Sequence, residues 1–359
     1  MQVQPTHHQS KNQLRLLFWE TTAACNLKCA HCRALPADSQ SRDEFSLQEC
    51  RTLLDDVASF ARPVIVLSGG EPMVRSDICD IASYGTQLGL RVVLATNGTL
   101  LDDEKARRLK ESGIQRVSVS LDGADAAAHD EVRGMRGAFD AALSGIESCK
   151  AADLPFQINT TVTLSNVNDL QRILDLAVRL GAVALHLFLL VPTGCGRELA
   201  DSEMLSAQQY EEVLNWIYDA SKRDIINLKA TCAPHYFRVM RQCARAEGKP
   251  ITPKTHGLEA VTKGCLAGSA VCFVSHTGEV YPCGYFPVSA GNVKTQSLNH
   301  IWENSELFRQ LRDPSLLQGK CGECEYSRVC GGCRARAYAE TGNYLAEESY
   351  CLYIPHSHK

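Results

Sequence analysis

Residues 19–34 read WETTAACNLKCAHCRA. Within them Cys25, Cys29 and Cys32 form C-x3-C-x2-C directly after an apolar run. Thiolates are soft donors suited to iron–sulfur clusters and to zinc. Both kinds of site ordinarily take four protein ligands. His31 stands next to Cys32, and adjacent residues seldom converge on one tetrahedron, so it makes a poor fourth ligand for zinc. A cubane on three thiolates keeps one iron open for a substrate or cofactor, as a catalytic metal keeps a position free.

Cysteine usage along the rest of the chain supports ligation over cross-linking. The chain has 359 residues and 17 cysteines. An odd number in a chain of this length, without a secretion signal, argues against a disulfide framework. Eight cysteines follow residue 264: Cys265, Cys272, Cys283, Cys321, Cys324, Cys330, Cys333 and Cys351. The six scattered ones (Cys50, Cys79, Cys149, Cys195, Cys232, Cys243) read as small core hydrophobes. A net charge of −4 with no long basic run favours neither nucleic acid nor an anionic membrane as partner. No apolar stretch reaches the roughly 18 residues of a membrane span. The polar start MQVQPTHHQSKNQ lacks a signal-peptide core. A cytoplasmic protein is expected, with residues 1–13, including His7 and His8, as a flexible tail.

From residue 14 to about 192, β-rich runs alternate with helical stretches. The strand candidates are 14–22, 63–71, 91–98, 116–123, 156–163 and 184–192, rich in Val, Ile, Leu and Thr and closed by Gly, Asn, Asp or Pro. Ser46 with Glu49 is a capping-box pattern, and 168–181 carries helical spacing ending on Gly181. Six such units predict an α/β fold with a parallel sheet, whose function sits at the C-terminal strand ends. The polar endings SGGEP, TNG, SLDG and PTG fall there. The expected division is a core over 14–200, a helical linker region over 201–263, and a cysteine-rich domain over 264–359. That last part is thin in apolar residues for a free-standing core, which suits a domain held by metal.

C-x3-C-x2-C at the end of a first strand, followed in order by SGGEP (68–72), TNG (96–98) and SLDG (120–123), resembles the radical S-adenosylmethionine (SAM) superfamily. The resemblance implies a partial (β/α)6 barrel in which Cys25, Cys29 and Cys32 hold a 4Fe-4S cluster. Its open iron would chelate SAM, and one electron would yield a 5′-deoxyadenosyl radical that abstracts hydrogen from substrate. Gly69 and Gly70 let backbone approach a ligand closely, and Glu71 or its neighbouring carbonyls would receive the SAM ammonium. Asn97, Ser120 and Asp122 would be further polar contacts, and Arg133 would pair with the SAM carboxylate. His31 stands where this family usually has an aromatic residue.

CGECEYSRVCGGC (321–333), with GCLAGSAVCFVSHTGEVYPC (264–283) upstream, resembles the SPASM extension of that superfamily, which binds auxiliary iron–sulfur clusters. Its last pair encloses two residues where the family usually has three. The resemblance assigns Cys265, Cys272, Cys283 and Cys333 to one auxiliary 4Fe-4S cluster, and Cys321, Cys324, Cys330 and Cys351 to another. Residues 19–34 and 319–353 are similar to the haem-biosynthesis branch. That implies oxidative decarboxylation of iron-coproporphyrin III propionates to vinyls, giving protohaem, with a tetrapyrrole substrate and a ferredoxin or flavodoxin as electron donor. Arg334 and Arg336 are candidates for the propionates, and His256, His276 and His300 for an axial ligand; structural pairing competes for each. The rival readings are a haem d1 or didecarboxysirohaem type enzyme, a peptide maturase, and a zinc-binding interaction protein.

Overall fold

The computed structural model describes residues 12–35, 37–256 and 262–356, without the side chains of Pro253 and His256. His7, His8 and the imidazole of His256 lie outside what it describes. The six expected strands form as β1 (Leu16–Glu20), β2 (Val64–Ser68), β3 (Arg91–Thr96), β4 (Val117–Ser120), β5 (Phe156–Val162) and β6 (Ala184–Leu189). They pair in parallel in chain order, with helices as crossovers. The crossover helix Leu47–Phe60 starts on the expected capping box of Ser46 and Glu49. Helix Leu170–Leu180 stops at Gly181, whose φ of +82° suits glycine.

Strand alternation gives the sheet two different faces. Leu17, Trp19, Ile65, Leu67, Leu94, Val119, Ile158, Leu185 and Leu187 are wholly buried. Burying each such side chain contributes about 1.5–3 kcal/mol. Of the residues between them, Phe18, Ser68, Ala95, Ser120, Asn159, Thr161, His186 and Phe188 are half-buried, while Val66, Val93, Ser118 and Gln157 are buried. This second face is largely polar in β4 and β5.

Two additions extend the sheet beyond the six units. Segment 201–263 supplies helices Ala207–Ser221 and Tyr236–Ala246, but also β7 (Asn227–Thr231), parallel to β6. Its alternation, Leu228 and Ala230 buried against Asn227 and Lys229 exposed, is too short to stand out beside two long helices. At the opposite edge β8 (Val271–Val274) lies parallel to β1, from Leu16↔Val271 to Trp19↔Val274. Strands β9 (Glu279–Tyr281) and β10 (Gly291–Asn292) follow it antiparallel. The cysteine-rich region therefore covers the free edge of the strand that leads into the first three cysteines, completing a ten-stranded sheet. Among the described residues no helix is long and apolar enough to cross a membrane.

Candidate active site and auxiliary cluster sites

The loop after β1 is fastened to the loop after β2 by backbone. Gly70 N donates to Thr22 O at 2.7 Å and Glu71 N to Ala24 O at 2.8 Å. A Cβ on Gly69 would lie 2.6 Å from Thr22 O, and one on Gly70 2.3 Å from Ala24 O. Both glycines thus serve a close approach, but to the chain leading into Cys25. Glu71 is wholly buried and accepts from Thr96 Oγ1 (2.7 Å), Asn97 N (2.7 Å) and Met73 N (3.0 Å). Burial raises its pKa, against these three donors. Its carboxylate joins the ends of β2 and β3, so the adjacent backbone carbonyls are the better acceptors for a ligand ammonium. Asn97 in turn donates from Nδ2 to Asn26 Oδ1 at 2.8 Å, tying TNG to the cysteine loop.

At the end of β4, Asp122 collects the other half of the site. Its Oδ2 lies 2.6 Å from Arg133 Nη2 and 3.2 Å from His31 Nε2, and its Oδ1 accepts from Thr161 N at 2.7 Å. Burial opposes its charge, yet Arg133 and His31 outweigh that and hold the carboxyl well below the usual range. Arg133 Nη1 is also 3.7 Å from Cys29 Sγ. The predicted SAM partner Arg133 is therefore already shared between Asp122 and a cysteine, and His31 is the second side chain against the Asp122 carboxylate. Ser120 sits half-buried at the strand end.

Cys25, Cys29 and Cys32 are neighbours that disfavour one another's ionisation. Burial, with Glu71, Cys29 and Cys32 adding to it, pushes Cys25 up to about 11, while a hydrogen bond from Leu27 N at 3.4 Å works the other way. Binding a cationic centre removes that cost and releases the protons.

Seven of the eight late cysteines fall into two groups. Cys321, Cys324, Cys330 and Cys351 line one cavity with His235, Arg238 and Glu348. Tyr326 N, Gly332 N and Glu348 N each donate at 3.4 Å to the sulfurs of Cys324, Cys330 and Cys321. Such bonds set cluster potentials. In the second group Cys283 and Cys333 are each raised by burial and by the neighbouring Cys265. Cys232, expected from the sequence to be a core hydrophobe, lies with them. Cys272 does not. It pairs with Leu17 in β8, and its neighbour Phe273 faces Arg33, whose guanidinium is 4.3 Å from the ring centroid. Alternation turns Cys272 to the other side, wholly buried, where Arg312 is the charged group acting on it. Among the described residues no three His, Cys, Asp or Glu side chains converge on a point fit for a single metal ion. The donor sets are thiol neighbours, the ligand chemistry of iron–sulfur clusters.

The candidate propionate arginines have structural partners. Arg334 Nη1 donates to Tyr344 O (2.9 Å) and Ala346 O (2.6 Å), and Arg336, wholly buried, pairs with Glu348 at 3.3 Å. His300 is exposed beside Asn304. His276 Nδ1 lies 2.6 Å from Glu20 Oε2, and Glu20 also meets Arg33 at 3.0 Å. The Glu20 hydrogen bond lifts His276 above its ordinary value despite burial. Glu20 is held low by His276 and Arg33 against its own burial. The stabilisation from His276 is present below the ordinary imidazole pKa and lost as pH rises through the lifted one. That from Glu20 is present above the ordinary carboxylate pKa and lost as pH falls through the lowered one. Glu20→Gln is expected to return the His276 midpoint downward in an NMR titration; an unmoved midpoint would refute the pairing.

Two further residues link the sites. Arg33 follows Cys32 and stacks on Phe273, next to Gly284. Tyr285 lies among Cys232, Arg33, Cys283 and Cys32, and burial raises its phenol well above the ordinary value. Neither stood out in the sequence, because their roles depend on β8 lying beside β1.

Comparison with known proteins agrees with this geometry. Residues 19–177 match the model of the Radical SAM superfamily, and residues 265–334 that of SPASM, an iron–sulfur cluster-binding domain. The chain is 56% identical to the AdoMet-dependent heme synthase of Methanosarcina barkeri, over 96% of this chain and 98% of the relative. It is 50% identical to the protein of that name from Nitratidesulfovibrio vulgaris, over 95% and 93% of the two chains. In fold it is similar to Streptococcus suis SuiB bound to S-adenosylmethionine, with a TM-score of 0.73 at 17% identity, covering 95% of this chain and 78% of that one. The chain belongs to the radical SAM superfamily and to the family of the AdoMet-dependent heme synthases it is similar to, and it carries a SPASM domain.

Proposed function

We propose that this enzyme is a haem synthase that oxidatively decarboxylates propionates of iron-coproporphyrin III to vinyl groups, giving protohaem. The observation that carries the reading is the 56% identity, over nearly the whole of both chains, to a relative named AdoMet-dependent heme synthase. Each propionate loses one hydrogen atom, one electron and CO2 in becoming a vinyl. Cys25, Cys29 and Cys32 would hold the 4Fe-4S cluster, which with SAM and an electron would supply the radical chemistry that removes the hydrogen. Gly69 and Gly70 hold the adjoining backbone in place, and their carbonyls, with that of Glu71, are the proposed acceptors for the SAM ammonium. Asn97, Ser120, Asp122 and Arg133 bound the same end of the sheet. The cysteine groups near the end of the chain would hold auxiliary clusters that could take up the departing electron. A ferredoxin or flavodoxin is the proposed donor, and the reducing cytoplasm the proposed setting, since it keeps thiols free for ligation.

The polar face of the sheet supports an anionic substrate. Arg116 precedes β4 and donates to Gln157 Oε1 at 3.2 Å; Gln157 Nε2 reaches Asn159 Oδ1 at 2.9 Å and His186 Nδ1 at 3.1 Å. Burial and then Arg91 lower Arg116, while burial, Lys229 and Arg116 push His186 down to about 3. Arg91, Arg116 and Lys229 are the cations acting here, and a carboxylate would pair with them. Arg116→Ala is expected to raise KM for the tetrapyrrole about tenfold, the scale of one charge-assisted hydrogen bond, with a smaller change in kcat. An unchanged KM would remove Arg116 from the substrate site.

The test of the function is an anaerobic reaction with iron-coproporphyrin III, SAM and a strong reductant. Protohaem appearing with 5′-deoxyadenosine supports the proposal. Cleavage of SAM with the porphyrin unchanged would reject the substrate and leave the family assignment standing.

A further inference from the structure

We propose that Cys232 is the fourth thiolate of the auxiliary site built by Cys265, Cys283 and Cys333, in the place that the family resemblance assigns to Cys272. The inference rests on the reading that this region holds an iron–sulfur cluster. Cys232 lies outside both cysteine-rich stretches, 33 residues before Cys265. Four observations bring it to the site.

Cys232 follows the last residue of β7 with φ +57°, a left-handed conformation that costs a non-glycine residue energy and is kept where the surroundings enforce it. The surroundings do so. Its carbonyl accepts from Tyr210 Oη at 3.0 Å and from Arg336 Nη2 at 3.1 Å. Arg336 stands in the helix Arg334–Thr341, whose N-cap is Cys333, so one buried guanidinium ties the Cys232 backbone to the start of the helix that carries Cys333. From the other side, a Cβ on Gly264 would lie 2.9 Å from Pro234 Cβ, which packs the residue before Cys265 against the turn that follows Cys232. Finally, the half-buried Cys232 has Cys333, Cys283 and Cys265 as its neighbouring cysteines.

A half-buried cysteine held in a left-handed backbone and tied to the helix that carries Cys333 is poorly placed to act as a plain core hydrophobe. A bound cluster supplies the reason, since it takes all four as thiolates. Cys272 lacks every one of these relations and has a plain role in the β8–β1 pairing. Gly284, next to Cys283, packs against Arg33, next to Cys32, since a Cβ on it would lie 3.6 Å from Arg33 Cδ; this auxiliary site therefore lies on the side of the first three cysteines.

The experiment uses the full chain carrying Cys25→Ala, Cys29→Ala and Cys32→Ala, reconstituted anaerobically, so that only auxiliary clusters contribute. This parent is expected to bind about eight iron in two cubanes; if it binds none, the cluster reading itself fails. On that parent, Cys232→Ser is expected to lower the iron content or to change the EPR spectrum of one reduced cluster, and Cys272→Ser to leave both as they were. A Cys232→Ser protein with the iron and spectrum of the parent overturns the proposal, whatever Cys272→Ser does. Should Cys232→Ser fail to fold, alkylation of the unaltered protein decides. Cys232 protected while the clusters are bound and modified after their removal by a chelator supports ligation; equal labelling in the two states overturns it.

Discussion

Cys29→Ala is expected to abolish reductive cleavage of SAM, with 5′-deoxyadenosine falling by at least about a hundredfold, beyond what changes around a metal ligand cause. Cys29 is the middle donor of three neighbouring thiols, and a cubane that has lost it keeps two thiolates. The substitution also removes the sulfur that lies 3.7 Å from Arg133 Nη1, leaving the buried ion pair of Arg133 with Asp122 facing an empty position. The measurement is chromatography of anaerobic reactions containing SAM and a strong reductant. Persisting cleavage would show that Cys25, Cys29 and Cys32 do not hold the SAM cluster. Loss of cleavage with the auxiliary iron still bound would place the defect at the first site.

Arg336→Ala is expected to be the most damaging change away from the cysteines, destabilising the protein by about 3–5 kcal/mol. The guanidinium is wholly buried, pairs with Glu348 at 3.3 Å, and donates to Leu189 O (3.3 Å), Leu190 O (3.1 Å) and Cys232 O (3.1 Å). It also lies 4.8 Å from the Tyr210 ring centroid. Glu348 stays charged in the interior because Arg336, helped by His235 and the Cys333 amide, outweighs its burial. Without Arg336 a carboxylate and three carbonyls lose a partner that water cannot replace. The thermal midpoint should fall by at least about 5 °C. Arg336→Ala combined with Glu348→Ala should cost less than the two single costs added, because the pair shares one interaction. A midpoint within about 1 °C of the unaltered protein would show that the buried pair does not hold β6, β7 and the cysteine-rich region together.

Much of the core was legible because it rests on local pattern. Runs rich in Val, Ile, Leu and Thr, closed by Gly, Asn, Asp or Pro, placed β1 to β6, since a buried parallel strand is apolar whatever its neighbour is. Ser46 and Glu49 marked a helix start because a capping box closes within four residues. Glu71, by contrast, belongs to the site as expected, but its carboxylate fastens strands together. Its three donors come from residues 73, 96 and 97, and two of these become neighbours only when β2 and β3 pair. Arg334 and Arg336 carried charge suited to propionates, and only packing showed where those charges are spent.

The sequence by itself determined the chemistry to be expected of this protein: three cysteines at C-x3-C-x2-C, eight more after residue 264, and a βα array whose polar turns gather at one end. These are matters of residue type and short spacing, which survive without knowledge of the fold. Only the tertiary structure decided which residues meet across long gaps. The pairing of β8 with β1 turned Cys272 into the core by strand alternation. The end of β7 and the buried Arg336 brought Cys232 to Cys333, about a hundred residues away. No local period encodes such a meeting, because the energy that enforces it comes from burying strand edges and pairing interior charges, and those partners exist only once the sheet is built.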